Sequence, residues 1–227
     1  MIDALVFDFD GVIIDTETPD YELWSEEFRA HGVELDRAMW SQIIGGSPDG
    51  FDVYGHLDTL TGGGVDVASI GRRRRQRYLE MVEASPLLPG VLDYLTQAEQ
   101  LGLKVGVASS SNNDWVEGHL RRRDLLGYVD AVTTRDDVAN VKPDPELFLT
   151  AVARLSSKPE RAVAIEDSAN GVTAAKRAGM FCVVVPNPMT RDLPIDHADL
   201  RLETLADMEL AELLRRAAAA LEGIHDS

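Results

Sequence analysis

A single cysteine, Cys182, stands in 227 residues, which excludes an intramolecular disulfide framework. Its setting, MFCVVVP, reads as a buried strand, where a thiol packs as a small hydrophobe. Basic side chains are outnumbered, 22 Lys and Arg against 39 Asp and Glu, leaving a net charge of −17. That balance argues against nucleic acid or an anionic membrane surface as partner, though not against a small anionic ligand held by a local cation. No run approaches the ~18 consecutive apolar residues of a membrane span. The opening MIDALVFDFD has no basic region and too short an apolar run for a secretory signal, so the cytoplasm is the expected compartment. The five histidines are scattered and, with one cysteine, make no zinc spacing. Neither G-x-G-x-x-G after a strand nor G-x-x-x-x-G-K-[ST] occurs, which removes the common nucleotide sites.

What is present has a clear rhythm. Apolar strand-like runs stand at 4–10, 103–109, 131–134, 162–167 and 181–186. From about Pro86 onward, helix-patterned stretches separate them, several closing on glycine as helices often do. Strands alternating with helices imply βαβ units and an α/β fold, a Rossmann-like, mainly parallel sheet with helices on both faces. The first run stands apart, because helical patterns at Tyr21–His31, Arg37–Ile44 and Val67–Ala84, broken by TGGG, follow it instead of a strand. We read a core domain of residues 1–15 and 86–227 and an inserted helical cap domain of residues 16–85. Such a cap belongs over the carboxyl ends of the strands, where open α/β sheets bind ligands.

The stretch VFDFDGVIIDTETP carries the first chemical signal. In a strand of period two, Asp8 and Asp10 would point the same way, roughly 6–7 Å apart. Like charges so close are unfavourable unless a cation lies between them or one takes a proton. Ser109, Lys142, Glu166 and Asp167 also end or follow strand-like runs, so a parallel sheet can gather all of them at one edge. Carboxylates without soft ligands suit a hard ion, and Mg²⁺ is the preferred one. A carboxylate beside such an ion can attack phosphorus to give an aspartyl phosphate. Lys142 would supply a point charge, Ser109 a hydroxyl donor, and Asp10 a second carboxylic acid for proton transfer.

DFDGVIIDTE, VGVASSS, VKPDPELF and AIEDSANGVTAAKRAGM, in that order, resemble the four motifs of the haloacid dehalogenase superfamily, in the subfamily with a helical cap after the first motif. By that resemblance Asp8 is the nucleophile and Asp10 the general acid/base. Ser109 and Lys142 hold the phosphoryl group, while Asp167 binds Mg²⁺ with Asp8 and the backbone carbonyl of Asp10, supported by Glu166. The second aspartate of the first motif favours phosphoryl transfer over dehalogenation. The β-phosphoglucomutase-like relatives carry a histidine soon after the first motif and an arginine in an early cap loop. TETPDYELW and IIGGSPDGF have neither, which favours a phosphatase, although Glu17 suits both.

The expected enzyme is therefore a monomeric, Mg²⁺-dependent phosphatase of a small phosphorylated metabolite, such as a sugar phosphate. The alternatives are a phosphomutase and a non-catalytic binder of phosphorylated metabolites. Plainer roles also exist for the parts. Ser109 could cap the next helix, Lys142 could be a loop lysine, and Gly45 and Gly46 could form a simple turn or a loop reaching the site. The arginine runs at 72–77 and 121–123 read as solvated surface, and Trp24, Trp40 and Trp115 as packing.

Overall fold

Ala4–Phe7 forms strand β1, and each of its side chains is buried. In the computed structural model, which describes residues 1–46 and 51–225, β1 lies between β2 (Lys104–Ala108) and β4 (Ala162–Glu166). With β3 (Ala131–Thr133), β5 (Phe181–Val184) and β6 (Leu200–Arg201), the order among the described residues is β3-β2-β1-β4-β5-β6, parallel throughout. Leu5 and Phe7 join an apolar cluster with Val105, Val107, Val163 and Ile165, whereas Ala4 and Val6 join one on the opposite face with Ala162, Ala164 and Cys182. Helices α5 (Val91–Leu101), α6 (Asn113–Arg122) and α9 (Leu210–His225) cover the first face. Helices α7 (Glu146–Arg154) and α8 (Ala169–Arg177) cover the second. Burial on both faces is why the strands read as unbroken apolar runs.

Two readings from sequence change. The first strand stops at Phe7 instead of reaching Asp10, so strand alternation does not set the relation of the two aspartates. Strand β6 was not foreseen, being a two-residue edge too short for any period to reveal.

Between β1 and β2 the chain forms α1 (Glu17–Ala30), α2 (Arg37–Ile43), α3 (Val53–Thr61) and α4 (Val67–Ala84). Asp36, Asp52 and Asp66 cap the last three through their carboxylates, satisfying amides that have no helical partner. The sequence reading missed α3, a nine-residue helix just ahead of the glycine break. Trp24, Phe28, Trp40, Leu57 and Ile70 form a separate apolar cluster here, joined by Met189 from the loop after β5. The chain leaves and re-enters the sheet region side by side, with Leu88 N–H donating to the Ile13 carbonyl at 3.0 Å and Ile14 bridging Leu87. No described helix is long and apolar enough to cross a membrane.

The arginine run is largely exposed, as its sequence suggests, with Arg74 its shielded member, and it also carries ion pairs. Arg73 pairs with Glu27, Arg74 with Asp20 and Arg77 with Glu26, and Arg74 lies 4.4 Å from the Trp24 ring centroid. One helix period spreads these guanidinium groups along the acidic edge of α1, so α4 docks there. In the second run, Arg123 donates to the Val82 carbonyl at 2.6 Å, and Arg122 pairs with Glu83 at 3.0 Å.

Candidate active site

Asp8, the first residue beyond β1, is held by its own N–H donating to the Ile165 carbonyl at 2.8 Å. Its Oδ1 accepts from Lys142 Nζ at 2.7 Å, and the same ammonium lies 2.6 Å from Glu166 Oε1 at the end of β4. All three side chains are buried. Burial works against the Lys142 charge, yet Asp8 and Glu166 outweigh it and raise its pKa. Burial pushes Asp8 up to about 7 despite Lys142, with Glu166 and Asp10 adding to the rise. Asp167 rises well above its ordinary value through burial, then Glu166 and Asp8.

Carboxylate oxygens of Asp8, Glu166 and Asp167 lie within 4.8 Å of one another. Asp167 Oδ2 accepts from Asn187 Nδ2 at 2.7 Å, while its buried Oδ1 has no partner among the described residues. An orphaned buried carboxylate oxygen costs free energy, and three crowded carboxylates repel one another. A hard cation answers both conditions, and the donor set suits one. The approach is close enough to dictate glycine twice. Gly11 has φ +79°, and a Cβ there would sit 2.5 Å from Asp167 Oδ2; a Cβ on Gly171 would sit 1.9 Å from Glu166 Cδ.

Asp10 turns elsewhere. Its Oδ1 accepts from Thr16 Oγ1 and Trp115 Nε1, both at 2.9 Å, and its Oδ2 from Ser111 Oγ at 2.6 Å and Ser109 Oγ at 3.3 Å. Thr16 precedes α1 and makes no cap bond to it, because its hydroxyl serves Asp10. Ser109 also accepts from Ser111 N–H at 3.0 Å, and Asn112, not Ser109, caps α6. The plain capping role for Ser109 is therefore taken by its neighbour, and Lys142 is no exposed loop lysine.

Asp8, Asp10, Glu17, Ser109 and Ser111 line a cleft of about 700 Å³ between the strand ends and the helical insertion. Glu17 opens α1, and burial, with Asp10 and Asp20, raises its pKa well above the usual range. Gly45 and Gly46 line the same cleft, the Gly45 carbonyl accepting from Ser110 Oγ at 3.3 Å and the Ile44 carbonyl from Asn170 Nδ2 at 3.0 Å. Gly45 and Gly46 thus reach the site, while Ser47 to Gly50 of IIGGSPDGF lie outside the described residues.

Sequence reasoning missed Trp115, Asn187, Thr16 and Ser111. Trp115 packs against the core as its sequence reading has it, and its N–H also donates to Asp10. Thr16 and Ser111 lie within the quoted motifs DFDGVIIDTE and VGVASSS, and Asn187 follows β5 at the same sheet edge; that position was the only signal it offered.

A family model for haloacid dehalogenase-like hydrolase matches residues 2–179. A Bacillus subtilis protein, YhcW, named as a phosphatase, is 46% identical over 214 residues, covering 94% of this chain and 97% of the relative. The β-phosphoglucomutase of B. subtilis is 33% identical, covering 93% of each chain. The crystal structure of CbbY from Rhodobacter sphaeroides in complex with xylulose-(1,5)bisphosphate superimposes with a TM-score of 0.75 at 30% identity, covering 94% of this chain and 99% of that one. With the buried Asp8, Lys142, Glu166 and Asp167 cluster at the strand ends, these likenesses mean that the chain belongs to the haloacid dehalogenase-like hydrolases and is a phosphoric monoester hydrolase of that family.

Proposed function

We propose that this enzyme is a cytoplasmic, Mg²⁺-dependent phosphatase that hydrolyses a small sugar phosphate through an aspartyl phosphate on Asp8. The observation that carries the reading is the Asp8 carboxylate, buried and bonded to Lys142 at 2.7 Å within a cluster of hard oxygen donors. Asp8, Asp167 and the backbone carbonyl of Asp10 would hold Mg²⁺, which when bound offsets the charge of the phosphoryl oxygens and of the attacking carboxylate. The Asp10 side chain is engaged with its four donors, which fits a role for its carbonyl, not its carboxylate, at an ion.

An oxygen of Asp8 forms the bond to phosphorus as the bond to the leaving oxygen breaks, and Asp10 gives that oxygen its proton. Water then attacks the phosphorus of the acyl phosphate, with Asp10 taking the water's proton, so that phosphate leaves and Asp8 is regenerated. Lys142 and Ser109 would stabilise the phosphoryl oxygens as their charge develops. Glu166 would keep Lys142 charged and aimed. The helical insertion acts as a cap, residues 16–85 over a core of 1–15 and 86–227, whose closure excludes bulk water. The sugar bisphosphate in CbbY and the sugar phosphates implied by the name of β-phosphoglucomutase support the substrate class.

Product analysis tests this. Purified protein with Mg²⁺ and a panel of sugar phosphates, including β-glucose 1-phosphate with a trace of glucose 1,6-bisphosphate, should release inorganic phosphate. EDTA or Asp8→Asn should abolish that release. Glucose 6-phosphate formed without free phosphate would instead make the enzyme a mutase, and no turnover of any ester would leave only a binding protein.

A further inference from the structure

Trp115 lies in the first turn of α6, and its surroundings fix the indole on several sides. The Tyr78 ring of α4 stacks on it with centroids 5.7 Å apart and planes 9° apart. His119 meets it edge-on at 4.2 Å, and the Arg75 guanidinium lies 5.5 Å from its centroid. Among the described residues Arg75 makes no ion pair, so its position follows from this ring and the cleft it lines. The indole N–H, so aimed, donates to Asp10 Oδ1 at 2.9 Å.

The chemistry of the four donors to Asp10 is not equivalent. Ser109, Ser111 and Thr16 carry hydroxyls, which can turn from donating to accepting; an indole N–H only donates. An acidic proton on Oδ1 would therefore share that oxygen with the donor-only Trp115 N–H and have Thr16 as its one hydroxyl acceptor, whereas one on Oδ2 faces two hydroxyls able to accept it. Oδ2 is also the oxygen beside Ser109, in the cleft. Nothing in a packing role requires the ring nitrogen to point at a carboxylate.

Resting on the phosphatase reading above, we infer that Trp115 is a positioning residue for Asp10: its N–H holds Oδ1, leaving Oδ2 as the edge that serves the leaving oxygen, and Tyr78 of α4 holds the indole in place. The inserted helices thereby contribute to proton transfer without touching the proton.

The test is the dependence of rate on leaving group. Wild type, Trp115→Phe, Tyr78→Leu and Asp10→Asn are compared on 2,4-dinitrophenyl, 4-nitrophenyl and phenyl phosphate. Dinitrophenolate departs without a proton, whereas phenolate needs one. For Trp115→Phe, kcat/KM should fall about tenfold on phenyl phosphate, a fraction of what general acid catalysis supplies, and be nearly unchanged on the dinitrophenyl ester. Asp10→Asn should show the same trend more steeply, and Tyr78→Leu less steeply. Tyr78→Leu carries the test should Trp115→Phe fail to fold, since it keeps Trp115 itself and removes only the ring stacked on it. An equal loss on all three esters, or no loss, overturns the inference while leaving the phosphatase reading intact. If wild type turns over none of the aryl esters, the comparison is made between acetyl phosphate, whose leaving group needs no proton, and the accepted sugar phosphate. Absence of phosphate release from every ester overturns the phosphatase reading, and the inference with it.

Discussion

Gly171 shows how little room the site leaves at the level of one residue. The Glu166 carboxylate occupies the space a side chain would need, its Cδ 1.9 Å from a Cβ built there. Glu166 cannot move away cheaply, because Oε2 accepts from the Asp167 and Ser168 amides at 3.1 and 3.4 Å while Oε1 lies beside Lys142. Gly171→Ala should therefore cost about 1–3 kcal/mol, the range of overpacking in a tight interior, and should reduce turnover by displacing Lys142's partner. Urea unfolding with a parallel rate measurement checks both; a wild-type midpoint would mean that Glu166 relaxes freely. The buried thiol of Cys182 behaves as its sequence context suggested. Burial raises its pKa well above the ordinary thiol value, and its strand position gives it no site to serve.

Helix α6 illustrates what an element adds. His119 is buried in it, its Nδ1 accepting from Arg123 Nη1 at 3.0 Å. Burial, with Arg122 and Arg123 nearby, lowers its pKa from 6.5 to about 4. The folded protein thus keeps this imidazole neutral where the unfolded chain protonates it, so the unfolded state binds more protons between those two values. Stability from this group is complete above about pH 6.5 and is lost as pH falls toward 4. His119→Gln should flatten the pH dependence of the unfolding free energy in that window by up to about one proton; an unchanged slope would refute it. The α1 and α4 pair makes a second case. Arg74 is 15% exposed in its contact with Asp20 and lies over Trp24, while Arg77 and Glu26 are each about half exposed. Arg74→Ala should lower stability by about 1–2 kcal/mol through the lost ion pair and ring contact, and Arg77→Ala should melt close to wild type. Equal effects would mean that the whole run, not the shielded member, docks the helix.

At the scale of the whole molecule, the fold assembles a concentration of negative charge that it pays for in stability. Asp167 is buried with Glu166 and Asp8 beside it, and each raises its pKa. Without metal, Asp167→Asn should raise the melting temperature by relieving that repulsion, while abolishing turnover. With Mg²⁺ added, wild type should gain stability according to how far the ion exceeds its dissociation constant, and Asp167→Asn should gain much less. Differential scanning fluorimetry with and without EDTA reads both, and an equal Mg²⁺ response in the two proteins would remove Asp167 from the ion site. The amino-acid pattern alone marked five of the six described strands and most of the helices, because burial on two faces imprints unbroken apolar runs and a helical face imprints its own period. It also singled out Asp8, Asp10, Ser109, Lys142, Glu166 and Asp167, whose places at strand ends put them on one sheet edge. Only the tertiary structure decided that Asp10 turns from Asp8 toward Trp115, that Asn187 steadies Asp167, that Gly45 and Gly46 reach the cleft, and that the arginines of α4 meet the acids of α1. These contacts join segments far apart in the chain, and the period of a helix or strand constrains which face a side chain takes but not what waits across the gap.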